Sequence, residues 1–569
     1  MKNLKAQFKL IICFFIFLNI SNITLAENSD KYSSAEDISN YFSGVLSAYD
    51  KQYEKSYSHL KKLNNLEDSH FIYSKYYQYS LIAVGKYKDA AKYSKKLEDK
   101  KLDNFESSLI SAVFYLKNKN YKKASLNFKK LKNRNPSGLI QNLLSTSLNI
   151  WISLKNNPDL TSGLSSLDII PKKFINIKNV QKTLVHCYFD SPKTNELFKK
   201  LISNPDINYS RYNFFHANYL ISKKNEIKAK EIVKSGLNQS PKNLMLNQLK
   251  LDLEKRKVSS NQFDCRNVAD VIAEILFVVS NILASQNNYV GSNFYLNLAK
   301  YLNSNFVSFD ALYAENLFYT QEYKEAINNY TKIKYAGDVY NWHASKQIAS
   351  ILSSQDKKEE AINSLQKSFE RIVNPTIYEI FDYAEFLKNN EKYKESIKYY
   401  SEVLSVIGIK DVLYAQVIQG RGVAYERTDQ WNKAEIDLLK SLEASPNDAY
   451  VINYLAYSWI EKEIKVSESL EMLRKANNLK PNDGYIIDSL GWALFKVKNY
   501  KEAKQYLQLA ITYMASDPVI NDHYADSLWM NNETLQARYY WNYVLKLEKT
   551  EEKLRKKIKK KLVFGIDGS

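Results

Sequence analysis

One residue pattern returns about every 34 positions along most of this chain. In the C-terminal half it is marked by small residues 34 or 35 positions apart, at Gly422, Ala456, Gly491 and Ala525. A second small residue follows twelve positions after the first, as Ala503 follows Gly491. Nearer the N-terminus, tyrosines keep the same spacing at Tyr53, Tyr87 and Tyr121. A period of this length, repeated this often, restricts the fold to an array of similar units.

Each period has room for two helices joined by tight turns. Small residues at both marked positions let one helix lie close against the other, and larger residues fill the remaining space. Prolines such as Pro446 and Pro481 stop the second helix before the next unit begins. Glycine and proline are otherwise scarce, at 14 and 10 of 569 residues, which argues against a large β-sandwich or a Gly-rich nucleotide-binding fold. The sequence therefore predicts an all-α solenoid of antiparallel helix pairs, with about 12–14 repeats.

The array divides into segments where the pattern weakens. The repeat is degenerate at 139–209, and a polar run at 254–262 interrupts it. The sequence predicts a signal peptide at 1–26, an N-terminal repeat block at 27–243, an irregular joint at 244–272, a C-terminal repeat block at 273–551 and a basic tail at 552–569.

The first residues have the pattern of an export signal. Lys2, Lys5 and Lys9 precede an apolar run at 10–18, and Ala26 ends an acceptable cleavage site. The apolar run is shorter than the roughly 20 residues that a membrane span needs. Cleavage after Ala26 predicts a mature protein in the periplasm or cell envelope. Two alternatives stay open: an uncleaved membrane anchor, and lipidation of Cys13 to give an outer-membrane lipoprotein, which the bulky Ile12 before that cysteine disfavours.

The positive charge of the chain does not indicate nucleic-acid binding. The formal charge is +19, and loss of the signal lysines leaves +16. Only ten of the 81 basic residues are arginine, the side chain better suited to reading phosphates and bases. We therefore expect no nucleic-acid partner. The basic tail and an uncleaved signal anchor are the two places where the chain would contact a membrane.

Two cysteines, Cys187 and Cys265, remain after cleavage of the signal. In an oxidising compartment they could pair. In a regular helical array, however, they would lie two or three repeats apart, so the sequence favours two buried free thiols over a disulfide.

The sequence contains none of the short motifs of catalysis or metal binding. It has no HExxH, CxxC, GxSxG or GxxxxGK[ST] pattern. The adjacent pair Asp522 and His523 is the most site-like feature, and its ordinary interpretation is a polar helix residue beside a partly packed histidine. We therefore predict a protein that is not an enzyme and has no cofactor and no metal site.

The repeat resembles the tetratricopeptide repeat (TPR), and the segment at 490–510, LGWALFKVKNYKEAKQYLQLA, is the most similar copy. The stretches AYSWIEKE, LKPNDGYIIDSLGWALFKVKNYKEA and DPVINDHYADSLW are similar to envelope TPR proteins of alphaproteobacteria. A related protein is an adaptor that binds a carboxyl-terminal processing protease and delivers its substrates. The resemblance implies a scaffold and leaves the partner open.

In this family, positions 2, 5, 9 and 12 of the first helix of each repeat, helix A, usually face a concave groove. The resemblance therefore implies a partner-binding surface in the last three repeats. Its residues would be Tyr450, Asn453, Tyr457, Tyr485, Asp488, Trp492, Phe495, Asp522, Asp526 and Trp529. Aromatic rings interleaved with Asp and Asn can bury partner side chains and bond to an extended backbone.

Two functions fit these features. The first is an exported adaptor that binds proteins or peptides in its groove and couples an envelope protease to substrates. The second is a structural scaffold for the machinery that assembles the cell wall or outer membrane. A protease that co-purifies from the envelope would favour the first.

Overall fold

A computed structural model describes residues 34–63, 66–68, 70–133, 138–203, 209–259 and 261–566. Within these ranges the backbone forms thirty α-helices and three short 3-10 helices, and no strand. The all-α prediction is confirmed. The predicted signal peptide at 1–26 lies outside the described residues.

The chain divides into two compact units at residues 329 and 330. The helices of unit 1 are α1 (Ala35–Tyr49), α2 (Tyr53–Leu60), α3 (Phe71–Ala83), α4 (Tyr87–Asp99), α5 (Phe105–Lys117), α6 (Tyr121–Asn133), α7 (Leu139–Asn156), α8 (Leu160–Ser166), α9 (Ile175–Tyr188), α10 (Thr194–Ile202), α11 (Ser210–Ser222), α12 (Glu226–Gln239), α13 (Leu244–Glu254), α14 (Val268–Ser285), α15 (Tyr289–Leu302) and α16 (Ser308–Tyr319). The 3-10 turns Leu167–Ile169 and Lys172–Phe174 follow α8, and α17 (Tyr323–Ile333) runs across the division.

The helices of unit 2 follow the 3-10 turn Lys334–Ala336. They are α18 (Asp338–Ser354), α19 (Lys358–Phe369), α20 (Ile377–Asn389), α21 (Tyr393–Leu404), α22 (Tyr414–Glu426), α23 (Trp431–Ala444), α24 (Ala449–Glu461), α25 (Val466–Leu479), α26 (Gly484–Lys496), α27 (Tyr500–Tyr513), α28 (Pro518–Met530), α29 (Thr534–Lys546) and α30 (Glu552–Phe564).

Consecutive helices pack in pairs, as the 34-residue period predicts. Unit 1 contains seven such pairs, α1/α2 to α11/α12 and α14/α15, and unit 2 contains six, α18/α19 to α28/α29. The helix α13 stands alone between two of these pairs. Thirteen packed pairs within the described residues agree with the predicted number of repeats.

Close approach of the two helices of a pair explains the small residues. Ala503 of α27 and Ala537 of α29 are fully buried. At Gly491 of α26, a Cβ atom would lie 2.7 Å from Cγ of Leu507 and 3.2 Å from its backbone nitrogen. A side chain larger than hydrogen therefore requires α26 and α27 to separate, which confirms the contact inferred from the spacing.

In the last three repeats, the first helix of each pair begins with an aspartate N-cap. Asp448, Asp483 and Asp517 precede α24, α26 and α28, and each side chain accepts hydrogen bonds from two backbone N–H groups of the first turn. A carboxylate in this place also interacts favourably with the helix dipole. The repeated N-cap holds the three helices in the same register.

The segment at 244–272 corrects the expectation for the cysteines. It contains α13, then irregular chain, and then the start of α14. The irregular chain carries Cys265 back to α9, where it forms a disulfide with Cys187, with the two Cα atoms 5.9 Å apart. The prediction of two free thiols is wrong because it assumed that the helices continue as a regular stack through this segment.

Candidate protein-binding surface

The helix-A face of the early repeats in unit 1 is covered by later helices of the same unit. α14 packs on α7, and α15 packs on α3 and α5. Tyr79 of α3 stacks on Phe294 of α15, with ring centroids 4.6 Å apart. The ammonium group of Lys117, at the end of α5, donates to the carbonyl oxygen of Leu302 at 3.0 Å. These contacts leave little of that face open to a partner.

A buried ion pair holds α14 in this position. Arg211 of α11 donates to both carboxylate oxygens of Glu274 in α14, at 2.8 and 2.6 Å. Its guanidinium lies 3.9 Å from the ring centroid of Phe277 and 4.8 Å from that of Phe306. Burial raises the pKa of Glu274, and Arg211 opposes that effect. Breaking such a pair leaves one charge buried without its partner.

The helix α14 is also unusually apolar. Among the described residues it is the one helix long and apolar enough to cross a membrane by length and composition, and 56% of it is buried in the protein. Its contacts with α7, α11 and α15 account for that apolar composition as core packing within unit 1.

In unit 2, one group of predicted surface residues is packed between neighbouring helices A. Trp492 is only 8% exposed, and its indole N–H donates to Glu461 of the preceding helix A at 2.7 Å. The same ring stacks on Phe495, with centroids 4.9 Å apart, and on His523 of the following helix A, at 3.9 Å. Trp492 therefore links three consecutive helices A instead of facing open solvent.

Asp488 belongs to the same packed group. Both of its carboxylate oxygens accept from Nδ1 of His523 at 3.0 Å, and both residues are buried. Burial alone would lower the pKa of His523, but Asp488, with smaller contributions from Asp522 and Asp526, raises it above its usual value. The partner of His523 is thus the aspartate one repeat earlier, and not its sequence neighbour Asp522.

The second group of predicted residues is covered by the C-terminal helix. The ammonium group of Lys561 in α30 donates to Asp522 and to both oxygens of Asp526 at 2.6 Å. Asp526 also accepts from the indole N–H of Trp541 at 3.0 Å. Burial and the neighbouring Asp522 raise the pKa of Asp526 to about 6. These carboxylates were expected to face a partner, but in the structure they face Lys561.

Trp529 is also covered by the C-terminal segment that carries α30. A Cβ atom at Gly565, just after α30, would lie 2.3 Å from the Trp529 ring, so the backbone of the tail rests directly on it. The guanidinium of Arg538 lies 5.5 Å from the ring centroid. Trp529 is therefore half-buried by the protein's own C-terminal segment.

Tyr450 and Tyr485 are the predicted residues that remain open. Their side chains are 51% and 55% exposed, at equivalent places near the N-terminal ends of α24 and α26. The hydroxyl of Tyr450 donates to the N-cap carboxylate Asp483 of the next helix A at 3.1 Å. Asn453 and Tyr457, by contrast, are half-buried, and burial raises the pKa of the Tyr457 phenol.

Sequence reasoning missed three contacts of the predicted residues: those of Glu461 with Trp492, of His523 with Asp488, and of Lys561 with Asp522. The two residues of each contact lie 31, 35 and 39 residues apart, near one repeat length. A search for complementary polar residues one repeat apart would have found them. Among the described residues, no three His, Cys, Asp or Glu side chains lie close enough together to hold a metal ion.

Comparisons with known proteins agree with the repeat. No family model matches the chain. It is 24% identical over 193 residues to the TPR repeat-containing protein PA4667 of Pseudomonas aeruginosa, a match that covers 33% of this chain and 30% of that protein. The chain thus spans less than a third of the length of the curated relative that it matches.

Solved structures with similar helices include three repeat proteins. The Cut9-Hcn1 hetero-tetramer of the APC/C covers 93% of this chain and 97% of its own, at 14% identity and a TM-score of 0.36. MamA from Desulfovibrio magneticus covers 31% and 97%, at 14% identity and a TM-score of 0.27. The C-terminal part of a TPR repeat-containing protein from Cytophaga hutchinsonii covers 43% and 97%, at 19% identity and a TM-score of 0.28. From its own helix pairs and 34-residue period, the chain has the fold of a TPR-repeat solenoid.

Proposed function

We propose that this protein is a non-enzymatic scaffold that binds an extended segment of a partner protein along the helix-A face of unit 2. The observation that carries the proposal is the pair Tyr450 and Tyr485, each about half exposed at equivalent places on successive helices A. Exposed aromatic residues at a fixed spacing are common anchors in protein interfaces.

The spacing of the two rings suits an extended chain. Packed helices lie about 8–10 Å apart, and an extended segment advances about 3.3 Å per residue. A partner would therefore place side chains about three residues apart over Tyr450 and Tyr485. The hydroxyl of Tyr450 donates to the carboxylate of Asp483, the N-cap of the helix that carries Tyr485. This hydrogen bond holds the side chain of Tyr450 in one orientation before the partner binds.

The neighbouring contacts support a rigid site. The hydrogen bonds of Glu461 to Trp492 and of Asp488 to His523 join helices A of consecutive repeats. Binding would therefore require little reordering of the helices that carry the two tyrosines.

The test uses peptides selected by phage display on the intact protein, with affinities then measured by fluorescence anisotropy. Truncation of both rings, in Tyr450→Ala/Tyr485→Ala, should weaken binding at least tenfold, which corresponds to about 1.4 kcal/mol. The matched control is Tyr335→Ala/Tyr539→Ala, which removes two exposed tyrosines outside the helices A. Peptides that bind the first variant as tightly as the wild type would contradict the proposed site.

We propose further that the protein acts in the periplasm or cell envelope. The basic and apolar pattern at 1–26 supports export, and so does the disulfide between Cys187 and Cys265, because structural disulfides persist in oxidising compartments. The test is the N-terminus of the mature protein, which should be Glu27. Recovery from the cytoplasm with Met1 intact and the two thiols reduced would contradict it.

The identity of the partner distinguishes the protease-adaptor role from the role in envelope assembly. Purification of the tagged protein from envelope extracts, followed by mass spectrometry, should identify a protease in the adaptor role and components of envelope assembly in the structural role. The purified candidate must then bind the wild type more tightly than Tyr450→Ala/Tyr485→Ala, because co-purification alone does not locate the contact.

A further inference from the structure

The C-terminal helix α30 is fixed with one face against the last repeat. Ile558 and Lys561 are completely or almost completely buried, and Leu554 and Leu562 pack partly against the same core. Lys561 forms the ion pair with Asp522 and Asp526 described above. The opposite face of α30 is therefore held toward solvent in a defined orientation.

Arg555 secures the start of the helix. Its guanidinium donates to the backbone carbonyls of Leu545, Leu547 and Thr550, at 2.5, 3.0 and 3.0 Å. These carbonyls lie at and after the end of α29, where a cation is favourable and where backbone acceptors need partners. Arg555 and Lys561 are directed inward, and the ammonium group of Lys557 lies 3.9 Å from the carboxylate of Asp522. The other lysines of α30 are exposed.

The outward face of α30 is a single basic stripe that ends in apolar residues. Lys553, Lys556 and Lys560 follow the three-and-four spacing that places residues on one side of a helix. The same spacing continues to Val563 and Phe564, which are 66% and 67% exposed. Among the described residues, Lys553, Lys556 and Lys560 form no ion pair within 4.0 Å, so their charge is available to an outside partner.

We propose that this stripe binds the surface of an anionic phospholipid bilayer. Clustered lysines on one helix face are attracted to anionic headgroups. Val563 and Phe564 can enter the boundary between headgroups and acyl chains, as apolar residues of interfacial helices do. A straight, convex row of lysines beside exposed Val and Phe suits a flat surface better than it suits an acidic peptide, because a peptide gains most of its binding energy in a groove or pocket.

The experiment measures co-sedimentation of the full-length protein with vesicles of phosphatidylcholine, with and without phosphatidylglycerol. Binding should require the anionic lipid and should weaken at high salt. Each lysine near an anionic surface raises the partition coefficient onto the vesicles about fivefold. Lys556→Gln/Lys560→Gln should therefore lower this partition coefficient about 25-fold. Phe564→Ser should lower it as well. All variants should keep the wild-type melting temperature, because these side chains make no packing contacts on the buried face.

The control removes the same charge elsewhere. Lys394→Gln/Lys440→Gln changes two exposed lysines on α21 and α23 and should leave vesicle binding unchanged. An equal loss in this control would overturn the proposal, because it would mean attraction by net charge alone. Equal binding to neutral vesicles would also overturn it. So would binding to a soluble polyglutamate peptide that depends on Lys556 and Lys560 while Phe564→Ser has no effect, since the partner would then be an acidic protein segment.

Discussion

Gly491→Ala tests a tight contact between the two helices of one pair in unit 2. At this position of α26, the new methyl carbon would lie 2.7 Å from Cγ and 2.9 Å from Cδ2 of Leu507. It would also lie 3.2 Å from the backbone nitrogen of Leu507, which cannot rotate away as a side chain can. The natural control is Gly422→Ala at the equivalent place in α22, where the nearest atom, Cγ of Leu438, is 3.1 Å away.

The two variants separate packing from helix propensity. Alanine in place of glycine inside a helix gains about 1 kcal/mol, and both variants share this gain. Overpacking a tight contact costs about 1–3 kcal/mol, and only Gly491→Ala meets atoms closer than 3.0 Å. We therefore expect Gly422→Ala to be neutral or stabilising, and Gly491→Ala to be less stable than Gly422→Ala by about 1–2 kcal/mol.

The assay is urea unfolding followed by tryptophan fluorescence. Six of the seven tryptophans lie in unit 2, so the fluorescence signal reports mainly on that unit. Unchanged helical circular dichroism before the transition would show that both variants are folded. If Gly491→Ala unfolds at the same urea concentration as Gly422→Ala, or at a higher one, the tight contact between α26 and α27 and the register derived from it are refuted.

Three further predictions concern buried groups. Trp492→Ala should lower the free energy of unfolding by about 3–5 kcal/mol, seen as a lower urea midpoint. An unchanged midpoint would mean that Trp492 does not stabilise the array and is a partner-binding residue instead. Burial lowers the pKa of His216 to about 4, below about 6.5 in the unfolded chain. As the pH falls, the unfolded chain therefore takes up a proton on His216 before the folded protein does. The contribution of this residue to the free energy of unfolding is complete above about pH 6.5 and falls by up to about 3 kcal/mol toward pH 4. His216→Gln should make the free energy of unfolding depend less on pH in this range. Cys187→Ser/Cys265→Ser should lower the stability of unit 1 by roughly 4 kcal/mol, because the disulfide closes a long loop, and reductant should do the same to the wild type.

The fold was predictable because the contacts within a repeat are local in sequence. Gly491 and Leu507, for example, lie in adjacent helices of one pair, and a small residue opposite a large one is visible as a period. The disulfide was not predictable in this way. The path from α13 to Cys265 follows no repeat, so no spacing in the sequence indicates that the chain turns back to α9.

The covering of the helix-A face in unit 1 was missed for a similar reason. Tyr79 and Phe294 lie more than 200 residues apart, so no spacing within a repeat indicates that their rings stack. The apolar composition of α14 was the available signal, because a helix that is apolar on most of its surface must be buried on most of its surface.

The surface residues of unit 2 show which positions of a repeat a sequence can assign to binding. Positions 5 and 9 of one helix A also border the neighbouring helices A. Asp488 therefore bonds to His523 of the following helix A, and Trp492 to Glu461 of the preceding one. A Trp or an Asp at such a position satisfies its bonding needs without any outside partner. Position 2 lies at the N-terminal end of the helix, where Tyr450 meets the N-cap carboxylate of the next repeat and the ammonium group of Lys480, 5.5 Å from its ring centroid. Tyr450 uses its hydroxyl for that carboxylate and leaves half of its side chain exposed. Exposure that remains after the contacts within the array are made is therefore the better guide to the binding surface. It directs the binding experiments to Tyr450 and Tyr485, and the stability experiments to Trp492.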